Sequence, residues 1–110
     1  MLDLWIALEA LFVPDGRRGE ITYKVHRRIP LFLSRERHER IRIADVIKRS
    51  YDARSKIVHG DTVTDLASIT SETEEVLRAA LRRWPEMKGS KDPNKAVKII
   101  DDSMFGESSL

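Results

Sequence analysis

Apolar residues recur along this chain at helical intervals, separated by short polar breaks, and few runs alternate as strands do; the pattern predicts an all-α protein. Leu2 to Phe12 (LDLWIALEALF) is composed of strong helix formers and is apolar on nearly every side. Such a helix needs cover all round, either as the central helix of a domain or by burying its remaining surface in a dimer. Pro14-Asp15-Gly16 breaks it, and a basic, glycine-containing loop runs to Gly19. A second helix is expected from Glu20 to about Leu33, with Ile21, Val25, Ile29 and Phe32 or Leu33 on one face. Pro30 inside that pattern predicts a kink or break near Arg28. Ser34 is the expected N-cap of the next helix, with Arg37 in place of an acid at the capping-box position.

The third helix is predicted to be the longest, from Arg35 to Val58, with a stripe of Ile43, Ile47, Tyr51, Arg54 and Val58. Arg54 therefore occupies a slot where the period calls for an apolar residue. An arginine facing a core or an interface is costly unless something negative meets it. The candidates are Glu9, the partner subunit of a dimer, or a phosphate. Gly60 ends the helix. Asp61 to Thr64 form a turn, and a fourth helix runs to Trp84 with Leu66, Ile69, Val76, Ala80 and Trp84 on one face. Ser71 to Glu74 reads as a capping box, which allows a late start or a split there. Residues 1–84 are thus expected as the helical bundle, and residues 85–110 as a linker (Pro85 to Asn94) followed by a short amphipathic stretch of Ala96, Val97, Ile100 and Met104 that either docks or frays.

Composition narrows the chemistry. At 110 residues with 41% hydrophobic and 35% charged residues, the chain suits one soluble domain. The absence of cysteine excludes disulfides, thiolate nucleophiles and cysteine-based zinc sites. The longest apolar run is interrupted by Glu9 and is too short to span a bilayer, and no basic leader precedes it, so the expectation is a cytoplasmic protein without membrane contact. The net charge of +2 conceals an asymmetry: residues 17–56 hold 13 Lys or Arg against five acids, a local +8, while the rest of the chain sums to −6. A basic middle favours a polyanionic partner, although interleaved charges also merely solvate helices.

One short segment concentrates reactive side chains: Arg54-Ser55-Lys56-Ile57-Val58-His59-Gly60. With 13 Arg and three His, an Arg four to six residues ahead of a His arises about once by chance, so the surroundings must carry the weight. The LDLWIALEALF helix, a basic helix, and then YDARSKIVHG together resemble the HEPN superfamily, and more closely its ApeA-like branch, over roughly residues 2–84. The resemblance implies an antiparallel bundle of four to five helices that dimerises so that two Arg-His pairs face one cleft. The chain begins abruptly in the first recognisable helix, so an N-terminal part of the domain, or of a larger protein, is expected to lie outside it. Many such proteins are metal-independent endoribonucleases of toxin, antiviral or CRISPR-associated systems; others bind nucleotides or partners without cleaving. The family pattern maps onto Arg54 and His59, with Ser55 at a small polar position.

The chemistry is consistent with that assignment. RNA supplies its own 2′-OH nucleophile, so cleavage needs a base, an acid and a cation on the phosphorus, and no cofactor or metal. Histidine serves as acid or base near neutrality, and arginine holds phosphate bidentately. In a regular helix, residues five apart point about 140° away from each other, so Arg54 and His59 converge only if the helix unwinds before His59 or if the site is shared between subunits. Glu9 and Tyr51 are candidate supporting groups, and Lys56 and Arg49 candidate RNA-phosphate contacts. The bland readings are an Arg54–Glu9 ion pair, a dipole-stabilised His59, a core Tyr51, core Trp5 and Trp84, surface positions for His26 and His38, and a solvated basic face. The expected partners are RNA or a nucleotide, a second copy of the chain, and an antitoxin or other protein. The contrasting expectation is a noncatalytic binding or dimerisation module of a larger defence protein. DNA binding has only the basic patch behind it.

Overall fold

In the computed structural model, residues 1–16, 20–87 and 91–103 are described. Among them the chain is all-α: α1 (Leu2–Phe12), α2 (Ile21–Leu33), α3 (Arg37–Val58), α4 (Leu66–Arg83), a 3-10 turn (Trp84–Glu86) and α5 (Pro93–Asp102), with no strand. No helix among the described residues is long and apolar enough to cross a membrane.

The second helix packs against all four others and is the hub of the bundle. A three-residue connection, Ser34 to Glu36, folds α3 back along α2. Ser50 meets Thr73 near the middle of α3, while Ile43 and Val76 border one groove near its start, so α4 returns antiparallel to α3. By contrast α1 runs parallel to α3 at a fixed offset: Trp5 reaches Ser50, 45 residues on, and Glu9 reaches Arg54. Val25, Ile29 and Phe32 of the predicted α2 stripe are buried, as are Trp5, Leu8 and Phe12 of α1. Phe12, Phe32 and Trp84 join three elements through ring centroids 5.4–5.5 Å apart, in tilted and edge-on arrangements that suit aromatic quadrupoles.

Several expectations change in the folded chain. Pro30 lies inside an uninterrupted α2. Its ring is buried, and the helix continues past it without the bond that an N–H at this position would donate to the His26 carbonyl. The N-cap of α3 is Glu36, whose carboxylate accepts from the amides of His38 and Glu39 at 2.8 and 2.7 Å. Ser34 instead accepts from the Glu36 amide at 3.0 Å, one step upstream. A carboxylate suits a helix start better than a hydroxyl because it also answers the dipole. The fourth helix runs unbroken through the Ser71–Glu74 box, with Asp65 at its N-cap in a left-handed conformation, φ 58°. Its buried face contains Thr73 and Leu77, while Leu66 stays exposed. The first helix is not covered all round: Leu2 and Ile6 are exposed, Ile6 by 66%. The C-terminal stretch docks as α5, with Asp92 capping it, Pro93 in its first turn, and Ala96 and Ile100 in the common core; Met104 lies outside the described residues.

The residue that fastens α5 is Arg28, in α2 and only 2% exposed. Its guanidinium has five N–H donors, and each finds an acceptor. Nε and Nη2 reach the two oxygens of Asp101 at 2.9 Å each. Nη1 and Nη2 reach Asp15 at 2.8 and 3.1 Å, and Nη1 also donates to the Phe12 carbonyl at 2.7 Å. One side chain thereby ties the end of α1, the following turn, and α5 to the hub helix. Gly16 makes the turn compact enough: a Cβ there would lie 2.3 Å from a Val13 methyl. Burial works against the charge on Arg28, but the bonds from Asp15 and Asp101 outweigh it and raise its pKa. The Arg28 hydrogen bond pulls Asp15 well below the usual carboxylate range, against burial and with help from Lys24. Burial raises Asp101, yet Arg28 and Arg27 together leave it below its ordinary value.

Replacing this cation should therefore be costly. Arg28→Met is expected to lower stability by about 3 kcal/mol, the low end for breaking a buried pair because the two carboxylates keep some solvent contact, read as a shift in urea midpoint. Both aspartates titrate lower when folded than when unfolded, so their stabilisation is complete above about pH 5 and is lost as pH falls through and below 3.8. Urea midpoints measured from pH 6 down to 2 should fall across that window, and Asp101→Asn should flatten the fall.

Candidate functional site

The long helix α3 ends in a way that its sequence explains. Gly60 adopts φ 79°, open to glycine at little cost. Its amide reaches the Ile57 carbonyl at 3.0 Å and the Asp61 amide reaches Lys56 at 2.8 Å, the paired bonds of a Schellman close. His59 is the C-cap, with φ −85° and ψ 3°, exposed, at the negative end of the helix dipole. Helical geometry holds through Val58, so there is no unwinding between Arg54 and His59. The two side chains stand about 140° apart around the axis and about 7.5 Å apart along it, and no contact joins them among the described residues.

Arg54 faces α1. The buried line of α3 runs through Ile43, Val46, Ile47, Ser50 and Ala53, so Arg54 sits at the rim of the core, its side chain 33% exposed. It lies 5.7 Å over the Trp5 ring and 3.8 Å from a Glu9 oxygen. Glu9, expected as a candidate partner, is the acid that meets it, at a distance too long for a hydrogen bond. Trp5 is fixed beneath: its Nε1 donates to Ser50 Oγ at 2.9 Å, the Ser50 and Thr73 hydroxyls are 2.7 Å apart, and Thr73 Oγ1 donates to the Ile69 carbonyl at 2.7 Å. One proton from each group suffices for a relay from Trp5 to Ser50, Thr73 and Ile69, so a fully buried polar chain is satisfied. Tyr51 is half-buried and packs edge-on against both Trp5 and His26, at 5.7 and 5.8 Å.

The remaining candidates scatter. Ser55 is half-buried, and its carbonyl accepts from the His59 amide at 3.1 Å. Lys56 is exposed and has no ion pair among the described residues. Arg49 holds two acids, Asp45 at 2.9 Å and Glu72 at 2.7 Å, which bridge α3 to α4. His38 is exposed as expected, but His26 is half-buried because it turns towards Tyr51, and its Nδ1 lies 2.7 Å from the Thr22 carbonyl. That distance requires the proton on Nδ1. No family model, curated protein or solved structure matches this chain.

Residues that pattern reading passed over carry much of the architecture. Arg28 shares a helical face with Val25 and Phe32, at spacings of three and four, and that position was the available signal. Ser50 and Thr73 gave none, because a hydroxyl in a polar-looking slot declares no partner.

The two interactions that frame Arg54 should differ sharply in weight. Ser50→Ala leaves the buried Trp5 N–H without an acceptor and is expected to cost about 1–3 kcal/mol. Glu9→Gln removes only a long, half-exposed ion pair and should cost under about 1 kcal/mol. Urea denaturation of both variants checks the contrast.

Proposed function

We propose that this chain is one half of a HEPN-like, metal-independent endoribonuclease, with Arg54 and His59 from two copies completing a site at the dimer interface. The observation that carries the reading is the loose hold on Arg54: a half-exposed guanidinium, stacked on a fixed indole and only 3.8 Å from its acid, is available to a stronger anion. His59 is solvent-accessible on the same helix and beyond the reach of Arg54 in its own chain. The surroundings favour a second copy. Val58, one turn past Arg54, is 61% exposed, and Leu2 and Ile6 form an exposed apolar strip on α1 one turn from Glu9.

In this reading one His59 removes the 2′-OH proton and the other protonates the departing 5′-oxygen. The 2′-oxygen bonds to phosphorus as the bond to the 5′-oxygen breaks, leaving a 2′,3′-cyclic phosphate and a 5′-hydroxyl. Arg54 carries the charge that builds on the phosphoryl oxygens, and Lys56 contacts the flanking backbone. A prokaryotic defence or toxin-type role, with an antitoxin or other partner protein, fits this chemistry.

A second reading has its own support. Arg54 already has Glu9 and Trp5 as partners, and the His59 ring has no orienting hydrogen bond among the described residues. These features suit a noncatalytic RNA- or nucleotide-binding or dimerisation module.

Purified protein incubated with single-stranded RNA in EDTA should yield cyclic-phosphate ends. Arg54→Ala and His59→Ala should each slow cleavage by at least about a hundredfold, the low end for loss of an acid–base or charge-stabilising group. Ile6→Glu should shift the protein from dimer to monomer in sedimentation and abolish cleavage with it. Cleavage unchanged in both site variants refutes the assignment, and RNA bound without cleavage by an intact dimer establishes the second reading.

A further inference from the structure

Helices α2 and α3 leave between them a shallow, outward-facing groove of about 320 Å³. Pro30, Leu31, Ile41 and Ala44 give it an apolar floor. Ile41 stands out on α3: a β-branched aliphatic residue, 55% exposed, in a turn otherwise occupied by charges. The walls are His26, Arg27, Arg37 and Arg40, and no acid lines the groove. The nearby carboxylates have other tasks. Glu36 caps α3, Asp45 holds Arg49, and Asp101 offsets Arg27 at 3.0 Å. Arg40 commits its Nε to the Ser34 carbonyl at 2.6 Å. Arg37 has no ion pair among the described residues, and the Nδ1 contact of His26 leaves its Nε2 unused. The result is an aliphatic floor flanked by Arg37 and Arg40, whose charges meet no carboxylate among the described residues.

We infer that this groove docks an amphipathic helix of a partner protein, with an apolar stripe flanked by Asp or Glu. The span from Arg37 to Ala44 is about 10 Å, or two helical turns, and accepts apolar side chains at spacings of three and four from a docking helix. Burying Ile41 and Leu31 rewards aliphatic contacts, and the walls select the sign of the flanking charges. A helix also satisfies its own backbone, so it brings no unpaired amide onto the apolar floor. A sugar-phosphate backbone would match the walls but gain nothing from the exposed aliphatic surface between them. Neither Arg54 nor His59 lines the groove, so the inference stands apart from the proposed nuclease site.

The test uses the intact chain and a labelled helical peptide of roughly 18 residues, with leucines on one face and glutamates beside them. Two controls accompany it, one with serine for leucine and one with lysine for glutamate. Fluorescence anisotropy should show saturable binding of the acidic amphipathic peptide and none of the lysine version. Ile41→Glu and Arg37→Glu should each weaken binding at least about tenfold; both side chains are exposed, and circular dichroism verifies that the variants remain folded. The inference is overturned if the first peptide does not bind, if Ile41→Glu leaves its affinity unchanged, or if the serine control binds equally well. It is also overturned if a labelled oligouridylate binds with loss in Arg37→Glu but not in Ile41→Glu, which would assign the groove to nucleic acid.

Discussion

The arrangement of this bundle depends on one buried cation. Arg28 sits on the helix that touches every other helix, and burial makes its charge expensive unless all its donors are met. They are met by groups from three separate segments: the Phe12 carbonyl at the end of α1, Asp15 in the next turn, and Asp101 near the end of α5. Because a guanidinium is a planar fork, these acceptors are fixed in direction as well as in distance. The first helix is thereby set at its C-terminal end, and the last helix is latched onto the core by a residue 73 positions away.

What that constraint positions is the seam between α1 and α3. The two helices run in the same direction with a shift of 45 residues, so Trp5 lies against Ser50 and Glu9 against Arg54. Along this seam the interactions weaken from inside to outside. The buried chain of Trp5, Ser50 and Thr73 is short and saturated; the Trp5–Arg54 stack is a half-exposed cation–π contact; the Arg54–Glu9 pair is long. A rigid base with a loosely held cation at its edge is how a protein keeps a charge near one place without spending it. The same gradient explains why an arginine can continue an apolar stripe: the stripe leaves the core between Tyr51 and Arg54.

The helices were legible because hydrophobic periodicity is local and most of the core is built from it. Val25, Ile29 and Phe32, or Ile43 and Ile47, are buried where their spacing places them, and Gly60 stops α3 because only its backbone accepts the required φ cheaply. The misreadings share a cause, which is competition decided by neighbours. Ser34 and Glu36 are both competent caps, and the carboxylate two residues on captured the amides. Pro30 stays within an unbroken α2, its ring buried on the helix that every other helix packs against. Whether α5 docks was left open by its spacing alone; in the fold Ala96 and Ile100 join the core and Asp101 pairs with Arg28, a long-range contact with no period. Of the candidate site, the orientation of Arg54 towards α1 could be read from its place in the stripe; the groove between α2 and α3 could not, because it takes residues from two helices whose register only the fold supplies.

The charge asymmetry of the sequence also changes meaning on folding. A local +8 over residues 17–56 suggested a broad basic face, yet acids from outside that segment fold back onto it: Asp15 and Asp101 on Arg28, Asp101 on Arg27, Glu72 on Arg49, and Glu9 on Arg54. Part of the surplus is therefore neutralised among the described residues. Among the described residues, the outward cations along α3 that meet no carboxylate include Lys56 beside His59 at its end, Arg37 at its start, and Lys48 between. A polyanion running along the whole helix would meet carboxylates at Asp45 and Asp52, so an extended backbone track is disfavoured and a local contact at either end is favoured. At the C-terminal end the regular helix keeps Arg54 and His59 apart, and Val58 beside them is exposed. On the proposed reading, two chains supply what the spacing of one forbids: a cation and a proton carrier within reach of the same phosphate.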